Sequence, residues 1–287
     1  MNDNEYFVSG HKACAGCSVP ILVRWVLKIA GPDTFVVNAT GCLEVFSTPY
    51  PYTSWKVPWI HTAFENSAAT ATGIDASIKR KGLLNAHIIV FAGDGATSDI
   101  GLQALSGMAE RGNDVLYIMY DNEAYMNTGI QRSSATPYGA WTTTSEIGTE
   151  NLIGKKEKKK PITDIMVAHN IPYAATVNIA FFNDFKDKIK KALGIKGTRF
   201  INALAGCPTG WKHDPSKTVE VMKLATRTGI FPLYEVVNGQ MRITYRQDPR
   251  IPVGDYIKVQ GRFKHLQNNH AVIDEIQKNV DSWWSKH

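Results

Sequence analysis

Two stretches of the chain run apolar and then stop abruptly on polar groups. Ile88-Ile-Val-Phe-Ala breaks at Gly93-Asp94-Gly95-Ala96-Thr97-Ser98-Asp99, and Val115-Leu-Tyr-Ile-Met-Tyr breaks at Asp121-Asn122-Glu123-Ala124. A buried parallel strand delivers polar groups to one rim of a sheet in this way. Between the two, Asp99 to Arg111 carries Leu102, Leu105 and Ala109 at helical spacing, with Ser98 or Asp99 as the N-cap. The unit is strand, glycine turn, helix, strand.

The same alternation extends along the chain. Pro20–Ala30 predicts a helix, Thr34–Asn38 a strand, and the Ala- and Thr-rich Ala63–Ile78 a tightly packed helix. Helices are expected over Ile162–His169 and Asp184–Leu193, and strands over Tyr173–Val177 and Arg199–Leu204. Pro215–Thr228 predicts a helix capped by Asp214. Leu233–Val237 and Gln240–Tyr245 form a hairpin about Asn238-Gly239. From Asp255 onward the pattern is mostly helical, and Trp283-Trp284 suggests docking on a partner subunit. Gly41–His61, rich in Pro and aromatics, keeps no period; an irregular segment of that length is expected to face another subunit and a ligand. The pattern as a whole is a doubly wound, mostly parallel α/β sheet.

With 287 residues, 44% apolar and 20% charged, the chain can bury a substantial core as one large α/β domain or two smaller ones. No apolar run reaches the roughly 20 residues of a membrane span, and the start at Met1 is polar and acidic, so a cytoplasmic protein is expected. The net charge of +6 is spread along the chain, which argues against a nucleic-acid partner. Its one dense run, Lys155–Lys160, is expected to be a solvated loop, with docking of an acidic electron carrier as a second reading.

The chemistry concentrates on the two polar breaks. Gly93 and Gly95 let backbone N–H groups approach a ligand, and a helix N-terminus beyond them favours an anion, which makes this a phosphate site. Asp94 would repel phosphate unless a divalent cation lay between, and Asn122 at the next strand end can supply a further oxygen to Mg²⁺. Cys14-Ala-Gly-Cys17 precedes a helix, and Cys42 and Cys207 lie on turns after strand-like runs. Four thiolates can hold zinc or a [4Fe–4S] cluster, and spacing alone does not choose. Glu44, His61 and Arg132 invite site roles, but each also suits a structural hydrogen bond or ion pair.

GDG followed by an Asn at a strand end resembles the motif of thiamine diphosphate enzymes. The longer run Tyr120-Asp-Asn-Glu-Ala-Tyr-Met-Asn-Thr-Gly-Ile-Gln-Arg-Ser-Ser-Ala-Thr-Pro-Tyr-Gly-Ala140 resembles the β subunit of pyruvate:ferredoxin oxidoreductase, over nearly the whole chain. That resemblance implies a thiamine diphosphate-binding fold over residues 1–230, which includes the cluster ligands. Residues 231–287 would form a hairpin and helical extension packing on that domain or on a partner.

It further implies that Gly93, Asp94, Gly95, Ala96, Thr97, Asn122, Ala124, Asn127 and Thr128 bind the cofactor. Asp94, Asn122 and the Ala124 carbonyl would hold Mg²⁺, Asn127 would face the reactive end as the catalytic amide, and Cys14, Cys17, Cys42 and Cys207 would hold one [4Fe–4S] cluster. The implied reaction is oxidative decarboxylation of pyruvate with coenzyme A to acetyl-CoA and CO₂, with ferredoxin as electron acceptor. Partner subunits of α, γ and δ type would supply the remaining clusters and the glutamate that activates the aminopyrimidine. Ser18-Val19 and Ala96 stand where the family favours Gly. Pro49–Lys56 favours pyruvate, though enzymes for 2-oxoisovalerate or oxalate share such a block. A zinc-stabilised α/β scaffold protein is the alternative from a different class.

Overall fold

A computed structural model describes residues 4–83 and 85–287, so Met1 to Asp3, where the polar start was noted, lie outside the described residues. Eight strands form one sheet: β1 Thr34–Ala39, β2 Trp59–Thr62, β3 His87–Gly93, β4 Leu116–Asp121, β5 Tyr173–Asn178, β6 Arg199–Leu204, β7 Leu233–Val237 and β8 Gln240–Tyr245. Their order is β2-β1-β3-β4-β6-β5-β7-β8. The first six run parallel, and the β7–β8 hairpin continues the sheet antiparallel beyond β5.

Alternation along each strand feeds two cores. Ile89 and Phe91 of β3, with Leu116, Ile118 and Tyr120 of β4, meet helices Val19–Ala30 and Phe182–Gly194 on one face. Ile88, Val90, Tyr117 and Met119 meet Ser67–Lys81, Leu102–Glu110 and Ile162–Val167 on the other. A strand covered on both faces has no polar side, hence the unbroken apolar runs. The hairpin turns through Asn238 and Gly239 at φ 48° and 80°, the left-handed pair that its Asn-Gly sequence demands. Asp214 caps a 3₁₀ turn, Pro215–Lys217, by accepting from the Ser216 N–H at 2.8 Å, and helix Thr218–Arg227 follows.

Four expectations need correction. Gly41–His61 is not wholly irregular; it contains a short helix, Cys42–Ser47, and the edge strand β2, both too short to show a period. Helix Asp99–Arg111 starts later, at Leu102, after a π-helical turn over Gly95–Asp99. Neither Ser98 nor Asp99 caps it, because the Asp99 carboxylate instead accepts from Ser134 N–H and Tyr125 O–H. Trp283 and Trp284 pack within the chain: Trp284 donates to Gly229 O at 3.1 Å, and the Trp283 ring lies against Tyr234.

The lysine run is the largest departure, since it is no solvated loop. Lys155 is 1% exposed and donates to Ser134 O and Thr136 O at 3.1 and 2.6 Å. Lys159 pairs with Asp121 and Glu123 at 2.6 and 3.0 Å, and Lys160 reaches Ser98 O and Asp99. Only Lys156 and Lys158 of its lysines are exposed. Acidic residues at and after the strand ends draw Lys159 and Lys160 inward, whereas backbone carbonyls hold Lys155.

Replacing Lys155 by Met keeps the apolar stem but leaves two buried carbonyls without their donor. We expect a loss of about 1–3 kcal/mol, seen as a lowered calorimetric unfolding midpoint. Lys156→Met, on the exposed side of the run, should stay within about 0.5 kcal/mol of the parent.

Candidate cofactor and metal site

Parallel pairing brings four strand ends to one rim. In register, Asn38 faces Phe91, Gly93 faces Tyr120 and Asp121 faces Leu204, so β1, β3, β4 and β6 end side by side. The residues that follow these ends include Cys42, Asp94, Asn122 and Cys207. Ligands of open α/β sheets gather at this carboxyl edge.

A cavity of about 300 Å³ opens there, lined by Gly41, Cys42, Phe64, Gly93–Ala96, Tyr120, Asn122 and Ala124–Thr128. Gly93 and Gly95 are required by the tyrosines of its wall. A Cβ on Gly95 would lie 2.4 Å from the Tyr125 ring, and one on Gly93 would lie 3.3 Å from Tyr120. Gly101 serves the π turn, because a Cβ there would lie 2.0 Å from Ala96 O.

Asp94 is fully buried, and the Ser133 hydroxyl donates to its Oδ2. Burial first, then the charge of Asp121, push its carboxyl well above the usual range. The Asn122 amide ends 2.9 Å from Asp94 Oδ1 and 2.9 Å from Ala124 O. Turned one way its nitrogen donates to both; turned the other, three oxygens converge with no donor among them. Adjacent oxygens around an octahedral Mg²⁺ at about 2.1 Å stand about 3 Å apart, so the spacing fits a hard cation.

Glu123, between Asn122 and Ala124, has φ 71°, a left-handed conformation that costs a non-glycine residue on the order of 1–2 kcal/mol. Its carboxylate accepts from Arg262 at 2.5 Å and Lys159 at 3.0 Å. Burial acts to raise the Glu123 carboxyl, but these two cations hold it below its usual value. Asp121 goes the other way: burial raises it despite Lys159.

All four cysteines are free thiols. Ser18 N and Oγ both bond Gly206 O at 3.3 Å, joining the Cys17 turn to the Cys207 turn across 188 residues. Cys207 Sγ accepts from Gly210 N–H at 3.3 Å. Burial, followed by Cys207 and Cys14, pushes Cys17 up to about 12; burial, followed by Cys207, Cys17 and Cys14, does the same to Cys42. Cys17 and Cys42 thus each feel other thiols of the four. Among the described residues no group of three or more Cys, His, Asp or Glu side chains is close enough to hold a metal ion.

Asn127 and Thr128 line the cavity, as do Ala96 and Ala124. Thr97 does not, since its hydroxyl turns inward to Gly93 O at 2.7 Å. Arg132 pairs with Glu157 at 3.3 Å, and His61 lies against Thr40 Oγ1 at 2.6 Å, 4.0 Å from Glu44. Sequence reasoning missed Tyr120, Tyr125, Ser133, Lys159 and Arg262. A signal existed for Lys159: several acidic residues on one rim need cations, and Lys155–Lys160 is their densest source.

Residues 39–203 match the thiamine pyrophosphate enzyme, C-terminal TPP-binding domain model. Pyruvate synthase subunit PorB of Methanocaldococcus jannaschii is 56% identical over 284 residues, covering 96% of this chain and 94% of that protein. The chain belongs to the PorB family of 2-oxoacid oxidoreductase subunits. Ketoisovalerate oxidoreductase subunit VorB of Pyrococcus abyssi is 47% identical over 290 residues, covering 98% and 92%. A solved 2-oxoglutarate:ferredoxin oxidoreductase from Magnetococcus marinus, with 2-oxoglutarate, coenzyme A and succinyl-CoA bound, shares the fold with TM-score 0.61 at 22% identity, covering 80% of this chain and 82% of that one.

The π turn of this PorB-family chain sets a stability test. Gly101→Ala must displace Ala96 and should cost about 1–3 kcal/mol or more in urea unfolding. Gly73→Ala, in a helix with nothing within 4 Å of the new methyl, should be stabilising by about 0.5–1 kcal/mol.

Proposed function

We propose that this chain is the thiamine diphosphate- and [4Fe–4S]-binding subunit of a cytoplasmic pyruvate:ferredoxin oxidoreductase. The observation that carries this reading is the convergence of Asp94 Oδ1, the Asn122 amide and Ala124 O within 2.9 Å, in a cavity that Cys42 also lines. In this reading Asp94, Asn122 and Ala124 hold Mg²⁺, and Gly93–Thr97 form the turn against the diphosphate. Ser133 occupies Asp94 Oδ2 and so directs Oδ1 at the cation. Thr128 and Asn127 border the cavity, with the Asn127 amide assigned to a developing oxyanion. Cys14, Cys17, Cys42 and Cys207 hold the cluster, with Cys42 on the cofactor side.

When bound, thiamine diphosphate supplies the nucleophile and electron sink for decarboxylating a 2-oxoacid, and the cluster takes up the electrons released. The residues of this chain bind and orient those groups, and the apolar walls of Phe64 and Met126 exclude water. Asp94 is the one carboxylate among the described residues lining the cavity. As the family resemblance implies, a carboxylate for the aminopyrimidine belongs to a partner subunit in an αβγδ-type assembly that uses coenzyme A and ferredoxin. Subunits named for pyruvate are 46–56% identical to this chain and those named for ketoisovalerate 46–47%; the ranges overlap, and what supports pyruvate is that the relatives at 50–56% carry its name.

Low-temperature electron paramagnetic resonance on the anaerobically purified complex tests this. Pyruvate with coenzyme A should produce a reduced-cluster signal, and pyruvate alone an organic radical. A signal only with 2-oxoisovalerate or oxalate would keep the family and change the substrate. Silence with every 2-oxoacid, in a protein holding stoichiometric zinc, would reject the reading. Asp94→Ala should abolish Mg²⁺-dependent thiamine diphosphate binding, and full activity in that variant would remove the site.

A further inference from the structure

Glu123 presents a conformational puzzle. Its φ of 71° is one that glycine adopts without penalty, yet the position carries a long charged side chain. That side chain is buried and bonded at both ends of its carboxylate, to Arg262 through Oε2 at 2.5 Å and to Lys159 through Oε1 at 3.0 Å. The backbone around it is pinned as well. Trp211 Nε1 donates to Asn122 O at 2.9 Å, and Thr136 Oγ1 donates to Glu123 O at 2.7 Å.

Arg262 is in turn fixed by Gln260 Oε1 and Tyr256 O–H at 3.0 and 3.2 Å, with its guanidinium 4.5 Å from the Trp211 ring centroid. The left-handed turn is what lets the Asn122 side chain and the Ala124 carbonyl meet at 2.9 Å, since an extended residue between them would aim the two apart.

We propose that Glu123 is a positioning residue for the cation site, held by Lys159 and Arg262 so that Asn122 Oδ1 and Ala124 O face one point. The inference rests on the reading of Asp94, Asn122 and Ala124 as Mg²⁺ ligands. It gives the Lys155–Lys160 run and the segment Gly261–Leu266 a task at the site although neither lines its cavity.

The test measures thiamine diphosphate affinity of the assembled complex by calorimetric titration across a range of free Mg²⁺. Glu123→Gln should raise the Mg²⁺ needed for half-maximal binding by about 10–100-fold, with binding recovered at saturating Mg²⁺. Glu123→Gly, which relieves the left-handed strain but removes the anchor, should behave likewise. Lys158→Met, in the same run but bonded to Asn279 at 2.9 Å, should match the parent.

If Arg262→Met does not fold, Lys159→Gln, at the partly exposed end of the set, should give the same shift. A Mg²⁺ requirement unchanged in Glu123→Gln or Glu123→Gly, even with a lowered unfolding midpoint, would overturn the proposal. Binding by the parent complex that ignores Mg²⁺ altogether would instead overturn the cation site, and the positioning role with it.

Discussion

Asp94, Asp121 and Glu123 are buried along one rim of the sheet, where an unpaired carboxylate is costly. The remainder of the molecule is arranged to answer that cost. Two cations of the chain, Lys159 and Arg262, pair with Asp121 and Glu123. That leaves three acids to two cations: Asp94 has the Ser133 hydroxyl instead, and burial and Asp121 push its carboxyl well up from the usual range. In the reading proposed above, a hard divalent ion beside Asp94 would supply positive charge there. The same deficit explains why a lysine-rich segment far along the chain folds onto the strand ends and does not stand in solvent.

Much of this architecture was legible in the order of the residues. Ile88–Ala92 and Leu116–Tyr120 could be read as buried parallel strands because a strand covered on both faces has no polar side. Asn238-Gly239 named its own turn, and Asp214 its cap. What stayed hidden was decided by tertiary partners. The π turn at Gly95–Asp99 follows from the close approach of Gly101 to Ala96 O, which no periodicity records. Lys155 and Lys156 are neighbours of identical type, one buried and one exposed, and only the distant carbonyls of Ser134 and Thr136 tell them apart.

The site itself was legible in its residue types and not in its geometry. Asp94 and Asn122 were visible as strand-end oxygens, whereas Glu123 looked like any surface acid until its φ and its two cationic partners were known. The cysteines were visible as four, but which strand ends Cys42 and Cys207 follow depends on sheet order. β1, β3, β4 and β6 are adjacent only because β5 inserts beyond β6, so Cys42 and Cys207 meet the same rim. One cavity then touches both the Cys42 thiol and the oxygen set.

The bond of Ser18 to Gly206 O, spanning 188 residues, also says something about how the molecule comes into being. A chain emerging from the ribosome exposes Cys14, Cys17 and Cys42 early, but the fourth thiol joins them only after β6 has docked beside β4. Closing a contact across so many residues carries a loop-entropy cost that grows slowly with the separation. A metal group that drew on all four thiols would therefore require a chain translated past residue 207.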